Sequence, residues 1–315
     1  MANEHPKISV VVPVFNEAAT VQELHRRIVA ALRMQPEPYE IIFVNDGSRD
    51  RTGEALSLLR PLKVVTLARN YGQTPALDAG IHEARGDVVV LLDADLQNDP
   101  NDILLFLKKL SEGCDVVVGW RKKRHDAPSR LLFSAFANFF ARVFLDVPLH
   151  DFGCGLKAYR ASYIKHFRLW GHAQVFLPAV AKERGARICE VPVAHFPRGA
   201  GSSKIRVMSM IKGSFDLLGI VFFVKYFSNP LRFFGGWGLA SCVVAVLSFG
   251  AAIVLKFSDI RDFTETPLPV VGTLFAILGV ILFMMGLFAE ALLRMYYEMT
   301  ARSPEHIHKV ENNDT

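Results

Sequence analysis

The chain has 315 residues, 51% of them apolar, with a mean hydropathy of +0.24 and a formal net charge of +5. Its 36 Lys and Arg stand against 31 Asp and Glu, too even a balance for binding nucleic acid by bulk charge, so the position of the basic residues matters more than their number. The length allows one large domain or two smaller ones. The four cysteines, Cys114, Cys154, Cys189 and Cys242, show neither metal spacing nor a paired pattern, and they read as free thiols of a reducing compartment.

The N-terminus has no signal peptide, because a strand pattern begins almost at once. "KISVVVPVFNE" (7–17) is a buried β-run ending in a turn, and Val21, Leu24, Ile28 and Leu32 follow at helical spacing. "YEIIFVNDGS" (39–48) is a second strand, and "GSRDRTGEALSLL" opens a helix with polar capping candidates. "KVVTLA" (63–68) is a third strand, followed by the helical "TPALDAGIHEA", where Pro75 fits the first turn. "DVVVLLDAD" (87–95) and "DVVVGW" (115–120) complete the series. Apolar strands alternating with helices predict an α/β fold, a mainly parallel sheet covered on both faces.

Ligands of such sheets bind beyond the carboxyl ends of the strands. Three predicted strands carry acids there: Glu17 after the first, Asp46 at the second, Asp93 and Asp95 at the fourth. No glycine-rich dinucleotide fingerprint follows the first strand, and the P-loop pattern is absent. Two carboxylates this close repel, and one takes up a proton unless a cation removes the cost. Hard divalent cations, Mg2+ or Mn2+, use one or two carboxylates together with substrate phosphates. Asp93 and Asp95 therefore read as a metal–diphosphate site to which Gln97 adds a carbonyl oxygen. Asp99, just before Pro100, reads as the cap of the next helix.

"GWRKKRHDAPSRLLFSAFANFFARVFL" (119–145) begins basic and turns apolar. Asp126 and Pro128 suit a helix start, and Arg130 and Ser134 fall on one helix face. With Arg121 just before them, they suit a phosphomonoester, while Phe133, Phe136, Phe139, Phe140 and Phe144 suit a bilayer surface. "KIRVMSMIKGSFDLLGIVFFVKYF" (204–227) mixes charge with apolar runs and reads as an interfacial helix. Residues 233–255 and 267–289 carry no charge, and each is long enough to cross a bilayer. Lys225 and Arg232 precede the first run, and Arg294, Arg302 and Lys309 follow the second, which places both termini in the cytoplasm.

"VVVPVFNE", "VNDGSRDRT", "LARNYGQTPALDAG", "LLDADLQNDP", "DFGCGLKAYR" and "PRGAGSSK" occur in this order along the chain. Together they resemble family 2 glycosyltransferases of the GT-A fold, in the branch that uses polyprenyl phosphates. Asn45 departs from that pattern, standing where the family usually has the first acid of "DDGS". The resemblance implies a GT-A nucleotide-diphospho-sugar transferase domain, then interfacial helices and a two-helix transmembrane hairpin. The expected bounds are 1–203 for a cytoplasmic catalytic domain, 204–232 for juxtamembrane helices, 233–293 for the hairpin and 294–315 for a cytoplasmic tail. Pro13, Phe15, Glu17 and Asp46 are implied to line a base and ribose pocket. Asp93, Asp95 and Gln97 would hold the metal and donor diphosphate. Arg198, Ser203 and Lys204 would fold over that diphosphate, and Arg121, Arg130 and Ser134 would take the acceptor phosphate.

The implied reaction is inverting transfer of a monosaccharide from a nucleotide-diphosphate sugar to a lipid phosphate at the inner or plasma membrane. The implied catalytic set is Asp93, Asp95, Arg121 and Arg130. Through the two-span architecture shared with bactoprenol glucosyltransferases, the resemblance implies UDP-glucose and undecaprenyl phosphate, with GDP-mannose or a UDP-aminopentose as alternatives, and a possible homo-oligomer, a dimer or tetramer. A processive synthase would carry "QxxRW", which is absent, and a nucleotide-sugar sensor would not need intact acids and acceptor arginines.

Overall fold

The computed structural model describes residues 5–122, 145–169, 173–196 and 229–300, with a few isolated positions between them. It divides into two compact units, Met1–Ile220 and Val221–Thr315.

The first unit is an α/β layer structure. Its elements are β1 (Ile8–Val14), α1 (Val21–Leu32), β2 (Tyr39–Asn45), α2 (Thr52–Ser57), β3 (Lys63–Thr66), α3 (Gln73–Glu83) and β4 (Val88–Leu91). There follow α4 (Asp102–Ser111), β5 (Val116–Trp120), β6 (Lys157–Arg160), α5 (Ala161–Ile164), α6 (Ala173–Glu183) and β7 (Ile188–Pro192). The strands form one seven-stranded sheet in the order β3-β2-β1-β4-β6-β5-β7. Neighbours run parallel except at β6, which is antiparallel to both β4 and β5. The sequence reading saw five of these strands and missed β6 and β7.

Every residue of β1 is buried, as a central strand covered on both faces requires. On one face, Val10, Val12 and Val14 pack with Leu24, Ile28 and Leu32 of α1 and with Phe106 of α4. On the other face α3 lies so close that a Cβ on Gly80 would overlap Val11 and Val44 side chains. Asp99 is not the cap of α4: Asn101 stands at the N-cap without a side-chain cap bond, and Asp99 Oδ1 accepts the Asn101 N–H at 2.9 Å in the turn ahead of the helix.

The sheet opens at one place. β1 pairs with β2 as far as Val14↔Asn45, but with β4 only as far as Val11↔Leu91. The chain winds from β1 outward through β2 and β3, then returns to β4 on the other side of β1. That reversal is the topological switch point, where a crevice forms beyond the carboxyl ends. Pro13 sits past the end of the β1–β4 ladder, so its missing N–H removes no bond to β4.

One sequence expectation is corrected. Cys114 and Cys189 are joined by a disulfide, with Cα atoms 6.1 Å apart, inside the range a bridge needs. They are 75 residues apart in sequence, and they meet because β5 and β7 are neighbours, with Val117 opposite Cys189. The free thiols are Cys154 and Cys242.

The second unit is a helical hairpin, α7 (Pro230–Phe257) and α8 (Leu268–Thr300). Each contains a 28-residue apolar segment long enough to cross a membrane, and at most 28% of either tested stretch is buried, which argues against core helices of a soluble protein. Pro230 starts α7 at a position where its missing N–H costs nothing. The buried face of α7 is a row of small residues, Gly238, Ser241, Ala245, Ser248 and Ala252. Small residues let helix backbones approach closely in lipid, and Ser241 Oγ donates across the pair to the Phe275 carbonyl at 2.9 Å. Trp237, Leu247, Ile253, Leu274 and Phe288 face outward. The connecting turn holds the Lys256–Asp262 ion pair and a capping box between Asp262 and Glu265.

Candidate active site

The crevice between β1 and β4 is a cleft of about 400 Å3, within the usual range for small-ligand sites. Pro13, Phe15, Glu17, Asp46, Asp93 and Asp95, all singled out from sequence, line it together. Phe15 is 41% exposed, an apolar ring offered to the cleft. The turn after β1 passes through Asn16 in the left-handed region, at φ 54°. Asn16 is tied to the turn after β2: its Oδ1 accepts the Arg49 N–H and its own N–H donates to Ser48 Oγ. Glu17 Oε2 accepts the Thr20 hydroxyl at 2.8 Å. Asp46 is buried, and its two oxygens accept the backbone N–H groups of Tyr71 and Gly72, each at 2.8 Å. It thereby shapes the loop that leads into α3. Asn45, the departure from the family pattern, uses its amide oxygen to cap the Ser48 N–H at 3.0 Å, a task that needs an acceptor but no charge.

The turn after β4 carries the acid pair. Leu96 has φ 59°, uncommon for a residue with a branched side chain and found where surrounding structure fixes a functional turn. Asp93 Oδ1 accepts the Gln73 amide at 2.7 Å, and Asp95 Oδ1 accepts the Gln97 N–H at 3.2 Å. Gln97 also binds the segment ahead of residues 197–204: its carbonyl accepts the Phe196 N–H, and its Nε2 donates to the Phe196 carbonyl. Gln97 is not among the residues that line the cleft. The protein packed around Asp93, and then the charge of Asp95, push the Asp93 carboxyl up to about 6. A divalent cation would remove that repulsion, so the pair fits one. Among the described residues no three His, Cys, Asp or Glu gather. Two carboxylates completed by phosphate and water are a coordination that Mg2+ and Mn2+ accept.

Behind Asp93 stands a second tier, of which sequence reasoning assigned a role to Arg121 alone, at the acceptor phosphate. Arg121 is paired in a fork with Asp151, Nε at 2.7 Å and Nη2 at 2.9 Å, with only 11% and 4% of the side chains exposed. Asp151 Oδ1 also accepts the Gly153 N–H at 3.1 Å, shaping the loop 151–155. Gly155 on that loop has no room for a Cβ, because Asp93 lies directly against it. Lys157 is 4% exposed, and its ammonium donates to the carbonyls of Gln174 and Val175 at 3.0 and 3.1 Å. Burial pushes it down to about 8, so it stays mainly protonated at neutral pH. Burial likewise pushes the Cys154 thiol up to about 11, which makes it unreactive. The signal available in the sequence was the polar residue of "GLKAY", a Lys inside an otherwise apolar run. Arg130, Ser134, Arg198, Ser203 and Lys204 lie outside the described residues.

The raised carboxyl gives a pH expectation. Protons compete with a cation for Asp93, so Mn2+ affinity should be level above pH 7 and weaken, approaching tenfold per unit, once the pH falls through about 6. Titrating Mn2+ alone and following the free ion by its EPR signal checks this. A level affinity down to pH 5 would mean that Asp93 is not a ligand.

Comparison with known proteins adds to this geometry. A family model described as "Glycosyl transferase family 2" matches residues 9–168. Over 96% of the chain there is 38% identity to the dodecaprenyl-phosphate galacturonate synthase of Rhizobium johnstonii, covering 91% of that protein. The undecaprenyl-phosphate 4-deoxy-4-formamido-L-arabinose transferase of Pseudomonas paraeruginosa is 37% identical over 96% of the chain and 90% of its own length. Among solved structures, glucosyl-3-phosphoglycerate synthase from Mycobacterium tuberculosis, in complex with Mn2+ and UDP-glucose, superposes with a TM-score of 0.53. That match covers 69% of this chain and 79% of the other at 18% identity, and it concerns the fold alone.

Proposed function

The chain belongs to glycosyl transferase family 2, and from that premise we propose that it transfers one monosaccharide from a nucleotide-diphosphate sugar to a polyprenyl phosphate. One observation carries the proposal: Pro13, Phe15, Glu17, Asp46, Asp93 and Asp95 line one cleft, in a chain that also carries two membrane-length helices. The relatives named for such transfers span nearly the whole chain, hairpin included. In this reading Pro13, Phe15, Glu17 and Asp46 form the nucleoside wall. Asp93, Asp95 and Gln97 hold Mg2+ or Mn2+ on the donor diphosphate, where a cation supplies charge neutralisation as that diphosphate leaves. Arg198, Ser203 and Lys204 close over it.

The acceptor phosphomonoester is mostly dianionic near neutral pH, since its second pKa is about 6, so the chain needs no general base. One of its oxygens attacks the anomeric carbon, the bond from that carbon to the diphosphate breaks, and the electron pair leaves with the nucleoside diphosphate. The configuration inverts. What the chain contributes is alignment of the two phosphates and exclusion of water. Because Asp151 occupies two of Arg121's donors, the proposal rests acceptor binding chiefly on Arg130 and Ser134. Undecaprenyl phosphate is the proposed carrier. The sequence pointed to UDP-glucose as the donor, whereas the two relatives compared above are named for other sugars.

The test is incubation of the protein with polyprenyl phosphate and labelled nucleotide sugars. Label extracted with the lipid, one sugar per chain, supports the proposal. Polymer would mean a processive synthase, and no transfer would mean a sensor.

The hairpin gives a topological expectation. With both termini in the cytoplasm, residues 257–266 face the opposite side. Asp259→Cys, in the exposed turn, should react with an impermeant thiol reagent in intact cells. Protection in cells followed by labelling after lysis would reverse the orientation.

A further inference from the structure

The Cys114–Cys189 bridge has no part in the chemistry described so far, yet its position connects it to the acid pair. Cys189 lies on β7, the last strand of the sheet, which among the described residues has a neighbour on one side only. Cys114 lies between α4 and β5. The bridge therefore fastens an edge strand to the body of the first unit.

Two routes lead from that strand to the cleft. Glu190, the residue after Cys189, anchors the neighbouring loop: its Oε1 accepts the N–H groups of His150 and Asp151 at 2.8 and 3.1 Å, and its Oε2 meets His150 Nδ1 at 2.7 Å. Asp151 in turn holds Arg121 and the loop that sets Gly155 against Asp93. Further along the same strand, the Val193 N–H donates to the Trp120 carbonyl at 3.0 Å, and the Phe196 N–H donates to the Gln97 carbonyl at 2.9 Å. The Gln97 N–H donates to Asp95. Both acids are thus supported by the chain that starts at Cys189.

The bridge is also placed for exchange. Cys114 is buried, whereas Cys189 is only half-buried. The orientation expected from the hairpin's flanking charges puts the first unit in the cytoplasm. Disulfides of that compartment are usually transient, catalytic or redox-sensing.

Resting on the transferase reading above, we propose that Cys114 and Cys189 form a reversible thiol–disulfide site that regulates the donor cleft, its reductant a dithiol. One thiolate of the dithiol attacks Cys189 Sγ, the Cys114–Cys189 bond breaks, and the electron pair leaves on Cys114, which takes up a proton. The second thiol then attacks the mixed disulfide and releases Cys189, so the reductant ends as its own disulfide and the chain has gained two electrons and two protons. Oxidation is the same exchange run backward. Two thiols cannot sit at bonding distance, so the reduced pair parts and loosens β7, with Glu190 and Phe196 on it. The oxidised form is the one that holds Asp93 and Asp95 ready for the cation.

The test compares the full chain in its two redox states, reduced with dithiothreitol and freed of it before measurement. Thiols counted after denaturation should rise from two, Cys154 and Cys242, by the two of the bridge. The reduced protein should bind Mn2+ alone about tenfold more weakly, within the usual range of coupling between two sites. The KM for the nucleotide sugar should rise in step while kcat stays nearly constant. Oxidised dithiothreitol should restore both values. The double variant Cys114→Ala, Cys189→Ala should behave as the reduced protein and ignore dithiothreitol; one that still responds would place the effect on another thiol and overturn the inference. A bridge that dithiothreitol leaves intact in the folded protein also overturns it. So do equal Mn2+ affinity and equal KM in the two states, which decides the matter if the double variant does not fold. No lipid-linked product in either state would instead overturn the transferase reading, and the Mn2+ affinities would still decide whether the pair controls the metal site.

Discussion

Asp95→Asn should lower transfer at least about 1000-fold while leaving the fold unchanged, the scale seen when one preorganised electrostatic group is removed from a reacting centre. The substitution is nearly isosteric. The Asn oxygen can still accept the Gln97 N–H that Asp95 Oδ1 accepts now, so the turn after β4 keeps its shape. What is lost is charge: a neutral amide is a poor ligand for a hard cation. The neighbour changes as well. With the Asp95 charge gone, one cause of the raised Asp93 carboxyl disappears, and Asp93 should ionise at lower pH. Turnover, circular dichroism and thermal melting on the same preparation check the claim. Undiminished turnover in EDTA would remove the cation from the mechanism.

Arg121→Ala should destabilise the first unit by about 3–5 kcal/mol, because it leaves the Asp151 carboxylate buried and uncompensated. For a domain of this size that is a fall in melting temperature of roughly 10 °C. Arg121→Lys keeps the charge but loses the two-pronged geometry, so it should fall between. The paired change Arg121→Met with Asp151→Leu should recover most of the stability, since removing both charges leaves neither stranded. It should not recover activity. Asp151 also shapes the loop that sets Gly155 against Asp93, and that loop loses its anchor in the double variant. An Arg121→Ala protein that melts with the wild type would show that the fork carries no stability. A fully active double variant would separate it from the site.

The legible parts of the molecule are those encoded locally. β1, β2 and β4 are runs of Val, Ile and Leu with an acid at the carboxyl end, and a strand buried on both faces leaves no other reading of such a run. Their acids therefore converge on one crevice from sequence alone. The hairpin was equally legible, since uncharged length is itself the signal. β6 and β7 were not. "KAYR" is four residues with a charge at each end, and "ICEVP" is short and stops at a proline, so neither shows a strand period. Everything that depends on these strands was lost with them. The Cys114–Cys189 bridge exists only because β5 and β7 are neighbours. Lys157 becomes a site residue only because β6 runs antiparallel beside β4, with Leu91 opposite it. The Arg121–Asp151 pair joins residues thirty apart across a stretch whose pairing no periodicity reports.

The central claim is that a lipid phosphate receives a single sugar by direct displacement. It is tested most directly by recovering the lipid product formed with undecaprenyl phosphate and an α-linked nucleotide sugar, weighing it by mass spectrometry and determining its anomeric configuration by NMR. The account predicts one added sugar per lipid, joined through the phosphate in the β configuration, and one nucleoside diphosphate released for each. A product retaining the α configuration, or one bearing a chain of sugars, would contradict it.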